Sequence, residues 1–132
     1  MKKTVLITAG AKRLGRYIAE YMIEENWSIA LHYNSSKIQA EETAHFLFNK
    51  GGDVSIYCAN FLNLEQVEKL IMELSKKEHC WRGLINNAGL FRYDQGDNYE
   101  HKILNEHIKV NFLMHLLYLL LNHQYLLIHN TI

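Results

Sequence analysis

The chain has no proline, only two cysteines and no net charge, with 14 basic residues set against 14 acidic ones over 132 positions. That balance leaves no long-range field to gather nucleic acid or anionic lipid, so no nucleic-acid partner is expected. Cys58 and Cys80 fall in no C-x-x-C or Cys/His spacing able to hold zinc, and their apolar neighbours predict two reduced thiols in the core. None of the eight histidines pairs at i,i+4 and no H-E-x-x-H occurs, which excludes the helical zinc motif. Too few apolar residues separate Met1-Lys2-Lys3 from Gly10 to make a signal peptide, so a cytoplasmic location is expected. No repeat, low-complexity tract or linker divides the chain. Its 48% apolar content suits a single core, predicting one domain over 1–132 and no room for a separate substrate domain.

What the sequence does contain is a repeated change of period. Thr4 to Ala9 is a β-branched apolar run ending at Gly10, which predicts a strand buried on both faces. Leu14, Ile18 and Met22 follow at helical spacing with Ala19 and Ile23 beside them, and Asn26 supplies a stop. Ser28 to Tyr33 reads as a second strand. Asn34-Ser35-Ser36 is then a polar turn able to cap a helix with an inner face of Ala44, Leu47 and Phe48, ended by Gly51-Gly52. Asp53 to Asn60 alternates Val54, Ile56 and Cys58 against more polar neighbours, and Leu64, Val67, Leu70, Ile71 and Leu74 return to helical spacing. Leu84-Ile85 opens a fourth short strand that runs into Asn86-Asn87-Ala88-Gly89. A mixed loop through Asn98 follows, then a helix from about His101. Strands alternating with helices predict an α/β fold with a parallel sheet and right-handed crossovers.

The stretch most suited to chemistry lies between the first strand and the first helix, Thr8-Ala9-Gly10-Ala11-Lys12-Arg13-Leu14-Gly15. A turn of small residues lets backbone approach a pyrophosphate, and the N–H groups and dipole of the next helix bind its charge. Gly10 and Gly15 are assigned to that approach, although a glycine pair alone also fits a tight turn with no ligand. An acid ending the second strand would take a ribose 2′-hydroxyl. Asn34-Ser35-Ser36 stands there instead, and Lys12 and Arg13 lie within reach of a 2′-phosphate, so NADP(H) is expected rather than NAD.

These stretches resemble the short-chain dehydrogenase/reductase family, and most closely its pteridine-reductase-like members. Such proteins carry Thr-Gly-x-x-x-Arg-Leu-Gly in the first turn, His-Tyr-x-x-Ser after the second strand, Asn-Asn-Ala-Gly after the fourth and an asparagine in the next helix. Here the corresponding residues are Thr8 to Gly15, His32 to Ser36, Asn86 to Gly89, and Asn111. The resemblance implies a Rossmann-like doubly wound parallel sheet, truncated after the fourth strand and its following helix. It implies that Lys12, Arg13, Leu14, Asn34, Ser35 and Ser36 line an NADP site, and that Asn87, Ala88 and Gly89 pass the adenosine ribose and pyrophosphate. Asn111 would be the structural member of the catalytic tetrad. Two positions depart from the pattern: Ala9 replaces the first glycine, and Asn60 stands where an aspartate commonly meets the adenine, with hydrogen bonding still open to it.

Family members place a serine and a Tyr-x-x-x-Lys pair after the Asn111 helix, and the sequence ends at Ile132 before reaching them. That tyrosine protonates the carbonyl oxygen receiving the hydride and the lysine lowers its pKa, so reduction by this chain alone is expected to be severely slowed. Tyr125 to His129 imitates the spacing with His for Lys, but falls where the family still has its long helix. From Phe112 to Ile128 the chain is mostly leucine, close to the about 17 to 25 residues of a membrane span. His115 and Asn122-His123-Gln124 break the run and no stop-transfer charges follow, predicting a helix covering the sheet rather than an anchor. The tail, His129 to Ile132, resembles nothing in the family.

A sheet ending at its fourth strand leaves an edge, and the Asn111 helix resembles the one through which family members dimerise. A homo-oligomer or aggregate is expected, through the exposed sheet edge and the C-terminal helix. Three functions compete on this reading: the cofactor-binding half of an NADP-dependent, pteridine-reductase-like oxidoreductase; a non-catalytic nucleotide-binding remnant; and a small membrane-associated protein anchored by its leucine-rich end. Four motifs in the family's order favour the first. A pterin substrate is inferred from cofactor-side residues only.

Overall fold

The computed structural model describes residues 2–78, 80–88 and 101–110. The elements are β1 (Thr4–Ile7), α1 (Arg13–Glu24), β2 (Ser28–Tyr33), α2 (Lys37–Asn49), β3 (Val54–Cys58), α3 (Leu64–Lys77), β4 (Trp81–Ile85) and α4 (His101–Ile108). The mixed loop through Asn98, the leucine-rich stretch from Phe112 to Ile128, and the tail lie outside the described residues.

All four strands are parallel in the order β3-β2-β1-β4. β1 pairs with β2 from Thr4↔Ser28 to Ile7↔Leu31, and β2 with β3 from Ile29↔Val54 to Tyr33↔Cys58. The pairing with β4 slips by one residue between Thr4 and Val5. The two central strands are buried at every position, as continuous apolar runs require when helices cover both faces.

Side chains alternate between those faces. Val5, Ile7, Ile29 and Leu31 join Ala19 of α1 with Ala40 and Leu47 of α2. Leu6, Ala30 and Tyr57 join Val67, Leu70, Ile71 and Leu74 of α3. With α1 and α2 on one face and α3 on the other, the chain is a doubly wound α/β sheet of Rossmann type.

Several boundaries and faces differ from the sequence reading. β1 ends at Ile7, two residues early, because Ala9 turns the chain with φ of 51°. β4 starts at Trp81, three residues early, since Trp81 packs on the α3 face. Phe48 is 69% exposed, and Thr43 joins Leu47 and Ala40 on the inner side of α2. One residue on from Leu47 is about 100° further round the helix, which carries Phe48 off that face. Leu14 is likewise 63% exposed, on the first turn of α1. Cys58 is exposed and Cys80 half-buried, so neither is a core thiol. β3 is an edge strand: its Val54 and Ile56 are only partly covered by the α1–α2 side, while Tyr57 is buried under α3.

The helix ends follow local chemistry. Asn26, with φ of 65°, and Gly51, with φ of 85°, turn the chain after α1 and α2. Ser36 sits at the N-cap of α2 but makes no side-chain cap bond. The cap that forms is Asn63 at α3, whose Oδ1 accepts from the Gln66 N–H at 3.3 Å.

A polar tie crosses the α3 face. The Tyr57 hydroxyl donates to Glu78 Oε1 at 2.7 Å, and the Thr4 hydroxyl donates to Glu78 Oε2 at 3.4 Å. Burial, then the hydrogen bond and charge of Glu78, hold the Tyr57 phenol well above its ordinary pKa.

Two stability measurements check this packing. Leu74→Ala, at a fully buried site, should lower the free energy of unfolding by about 2–5 kcal/mol, whereas Phe48→Ala should change it by no more than about 0.5 kcal/mol in urea titrations. Because folding raises the Tyr57 pKa, its contribution is fully present below about pH 10 and is lost as pH rises beyond, where the unfolded chain ionises first. Tyr57→Phe should therefore be less stable near neutrality and show a shallower decline above pH 10.

Candidate functional site

The turn after β1 is shaped by bonds from outside itself. Ala9 adopts a left-handed conformation that costs an L-residue about 1–2 kcal/mol. Its N–H donates to His32 Nδ1 at 3.0 Å and its carbonyl accepts from Asn87 Nδ2 at 3.1 Å. The next N–H, of Gly10, donates to the His32 carbonyl at 3.0 Å. The buried Thr43 hydroxyl donates to the Ala11 carbonyl at 2.6 Å, tying the turn to α2.

Thr8 joins the turn to the chain leaving β4. Its Oγ1 accepts from the N–H groups of Asn87 at 2.9 Å and Ala88 at 2.8 Å, and donates to the Ile85 carbonyl at 3.4 Å. Gly15 is needed where α1 closes on this assembly. A Cβ there would lie 2.3 Å from the Ala9 carbonyl oxygen and 2.8 Å from Asn87 Nδ2.

His32, 3% exposed, is the hub of the far side. Since Nδ1 accepts from Ala9, Nε2 carries the proton and donates to the Ala59 carbonyl at 2.9 Å, which makes the imidazole neutral. Its ring stacks on Phe61 with centroids 4.2 Å apart.

Around this hub a cavity of about 380 Å³ opens beyond the carboxyl ends of the strands, where open α/β sheets hold ligands. Lys12, Asn34, Ser35, Ser36 and Asn60 are among its polar lining residues. Ala59, Phe61, Leu62, Ala88 and Val110 are among its apolar lining residues. Among the described lining residues there is no carboxylate, and Lys12 supplies a positive charge. Such a pocket suits an anionic ligand with a flat apolar part.

The expected site residues divide into groups. Lys12, Asn34, Ser35, Ser36, Asn60 and Ala88 line the cavity. Gly10, Gly15 and Asn87 build the turn beside it. Arg13 and Leu14 are exposed on the first turn of α1, outside the described lining. Gly89 and Asn111 lie outside the described residues, as do Tyr125, His115 and His123. The roles of His32, Thr8, Thr43, Phe61 and Val110 were not read from the sequence. Thr8 and His32 stood inside quoted motifs, whereas Thr43 and Val110 carry no local signal.

Tyr33 and Lys37 have the four-residue spacing of the family's Tyr-Lys pair. Burial, then the neighbouring Cys58, pushes the Tyr33 phenol above its ordinary pKa, and the exposed Lys37 lies 3.9 Å from Glu41. A proton donor near neutral pH needs the opposite shift.

A model of the short chain dehydrogenase family matches residues 3–126. The chain belongs to that family. The 3-oxoacyl-(acyl-carrier-protein) reductase FabG of Staphylococcus aureus is 33% identical over 92 residues, 70% of this chain and 37% of the relative. The FolM alternative dihydrofolate reductase 1 of Brucella suis, solved in complex with NADP, is 27% identical with a TM-score of 0.79, covering 87% of this chain and 46% of that one. Its counterpart from Brucella canis, complexed with NADP, is 28% identical with a TM-score of 0.77, covering 85% and 44%. The chain thus spans less than half the length of these short-chain dehydrogenase relatives.

Thr8→Val tests the turn, because valine keeps the shape and removes the hydroxyl from two partly buried N–H donors. Unfolding free energy should fall by about 1–3 kcal/mol in urea titrations.

Proposed function

We propose that the chain is the NADP(H)-binding part of a short-chain oxidoreductase, residues 1–132 forming one partial Rossmann domain. The observation that carries the reading is the cavity beside the Gly15-closed turn, lined by Lys12 and the acid-free loop Asn34-Ser35-Ser36. The residues present fit the group: the backbone of the turn can approach a pyrophosphate because Gly15 has no Cβ, and the polar lining residues can take a 2′-phosphate. When bound, NADPH supplies a hydride from its nicotinamide ring.

The protein's own contribution is binding and orientation. Lys12 neutralises phosphate charge, Asn34, Ser35 and Ser36 hydrogen-bond the 2′-phosphate, and Arg13 reaches the same phosphate from the start of α1. Gly10, Leu14, Gly15, Asn87, Ala88 and Gly89 carry the dinucleotide past the turn. Asn60 meets the base, and Asn111 is the structural member of the catalytic set.

The finer reading is a pteridine-reductase-like enzyme that reduces a pterin or related carbonyl. The motif from Thr8 to Gly15 and the likeness to FolM, a dihydrofolate reductase by name, support it. Residues 1–132 alone are expected to bind the dinucleotide without turning over a substrate, because no Tyr-x-x-x-Lys follows Asn111 within them. The same reading sets the protein in the cytoplasm; among the described residues no helix is long and apolar enough to cross a membrane. It also includes self-association through β4, which pairs with β1 alone among the described residues.

Thermal melts with NADPH, NADH and neither test the reading. A ligand at 100 times its Kd adds about 2.7 kcal/mol to a folded binder, a rise of several degrees in Tm. NADPH should raise Tm more than NADH at equal concentration. An absent shift, or equal shifts, would overturn it.

A further inference from the structure

We propose that His32 is a positioning residue for dinucleotide binding, needed because position 9 is an alanine: its Nδ1 holds Ala9 in the left-handed conformation on which the turn after β1 depends. The proposal rests on the dinucleotide reading above and adds to it a residue that acts through Ala9.

Ala9 stands at φ of 51°, a region where the Cβ of an L-residue crowds its own backbone and glycine meets no such penalty. The penalty amounts to a factor of about 5 to 30 in favour of ordinary conformations. Two bonds from opposite sides hold the residue there. Its N–H donates to His32 Nδ1 at 3.0 Å, and its carbonyl accepts from Asn87 Nδ2 at 3.1 Å.

Of these two partners, His32 is the more firmly fixed. Its ring is buried, donates from Nε2 to the Ala59 carbonyl at 2.9 Å and stacks on Phe61, so Nδ1 is a stationary acceptor. Asn87 is only half-buried, on the chain leaving β4. The Gly10 N–H also donates to the His32 carbonyl at 3.0 Å, a backbone bond that any residue at 32 can keep.

The conformation of Ala9 matters to the cavity because Ala9, Ala11 and Lys12 all line it. A Cβ on Gly15 would lie 2.3 Å from the Ala9 carbonyl oxygen, so α1 packs directly on this peptide. Turning Ala9 out of the left-handed region swings that carbonyl and shifts Lys12 and the start of α1 with it. A chain whose binding-competent turn is only partly populated binds its ligand with a Kd raised by the inverse of that fraction. Loss of the Nδ1 acceptor therefore weakens dinucleotide binding where residue 9 is alanine. Where it is glycine, the turn needs no such hold.

The test measures the NADPH Kd by titration of the full chain carrying His32→Phe or His32→Asn, each made alone and together with Ala9→Gly. Phenylalanine keeps a ring against Phe61 and removes the acceptor, whereas asparagine places an acceptor one bond beyond Cγ, as Nδ1 is. His32→Phe alone should raise Kd about 5- to 30-fold over wild type. Combined with Ala9→Gly it should raise Kd no more than about threefold over Ala9→Gly alone. The unpaired Ala59 carbonyl, and any direct effect of the ring on the ligand, are common to both comparisons and cancel. His32→Asn alone should lose less affinity than His32→Phe alone.

Equal losses with and without Ala9→Gly would overturn the proposal, and so would His32→Phe binding NADPH as tightly as wild type. Should His32→Phe fail to fold, the wild-type Ala9 amide decides: slow hydrogen exchange is expected, and exchange at the rate of an open loop overturns the proposal. If the wild-type chain binds neither NADPH nor NADH, the dinucleotide reading falls and this proposal with it. If it binds NADPH and the two backgrounds respond alike, only the proposal falls.

Discussion

The imidazole of His32 is where three separate stretches of backbone meet: the turn after β1 through Ala9, the end of β2 that carries the ring, and the exit of β3 through Ala59. Both ring nitrogens are used, one accepting and one donating, and a buried ring in that position tolerates only a group with both functions. The cavity takes its floor from this arrangement. Phe61 stacks on the ring and the left-handed Ala9 bonds to it, so one side chain positions two further residues that line the cavity.

Thr8 does for β4 what His32 does for β3. A hydroxyl accepting two N–H bonds and giving one to a carbonyl fastens the chain that leaves the fourth strand to the turn that leaves the first. These two residues close the crevice at the point where the strand order reverses, between β1 and its neighbours on either side. Gly15 then lets α1 approach within a distance that any side chain would prevent.

The β-α alternation was legible because the apolar period changes at each boundary, and β2 was read to the residue because it is buried throughout. Faces were less legible where an element is half-covered. Cys58 and Phe48 look like core residues by type, but one lies on the edge strand β3 and the other about 100° round the helix from Leu47. The lining of the cavity was legible where a local motif holds it, as at Lys12 and Ser35, and so was the close packing of the turn at Gly15. It was not legible where the partner is distant: the Thr43 bond to Ala11 spans 32 residues, and no spacing rule announces a pair so far apart.

The left-handed Ala9 has a consequence for how portable this turn is. Replacing it with glycine would relieve about 1–2 kcal/mol of backbone strain but return about 0.4–1 kcal/mol through the freer unfolded chain, so residue 9 is a weak lever on the turn's shape. The shape is imposed by partners 23, 32 and 78 residues further along. A peptide containing only β1, the turn and α1 would lack all three. The turn after β1 is thus not a module that the fold displays; it is a joint product of four segments, and it comes into existence only when the sheet has assembled as far as β4.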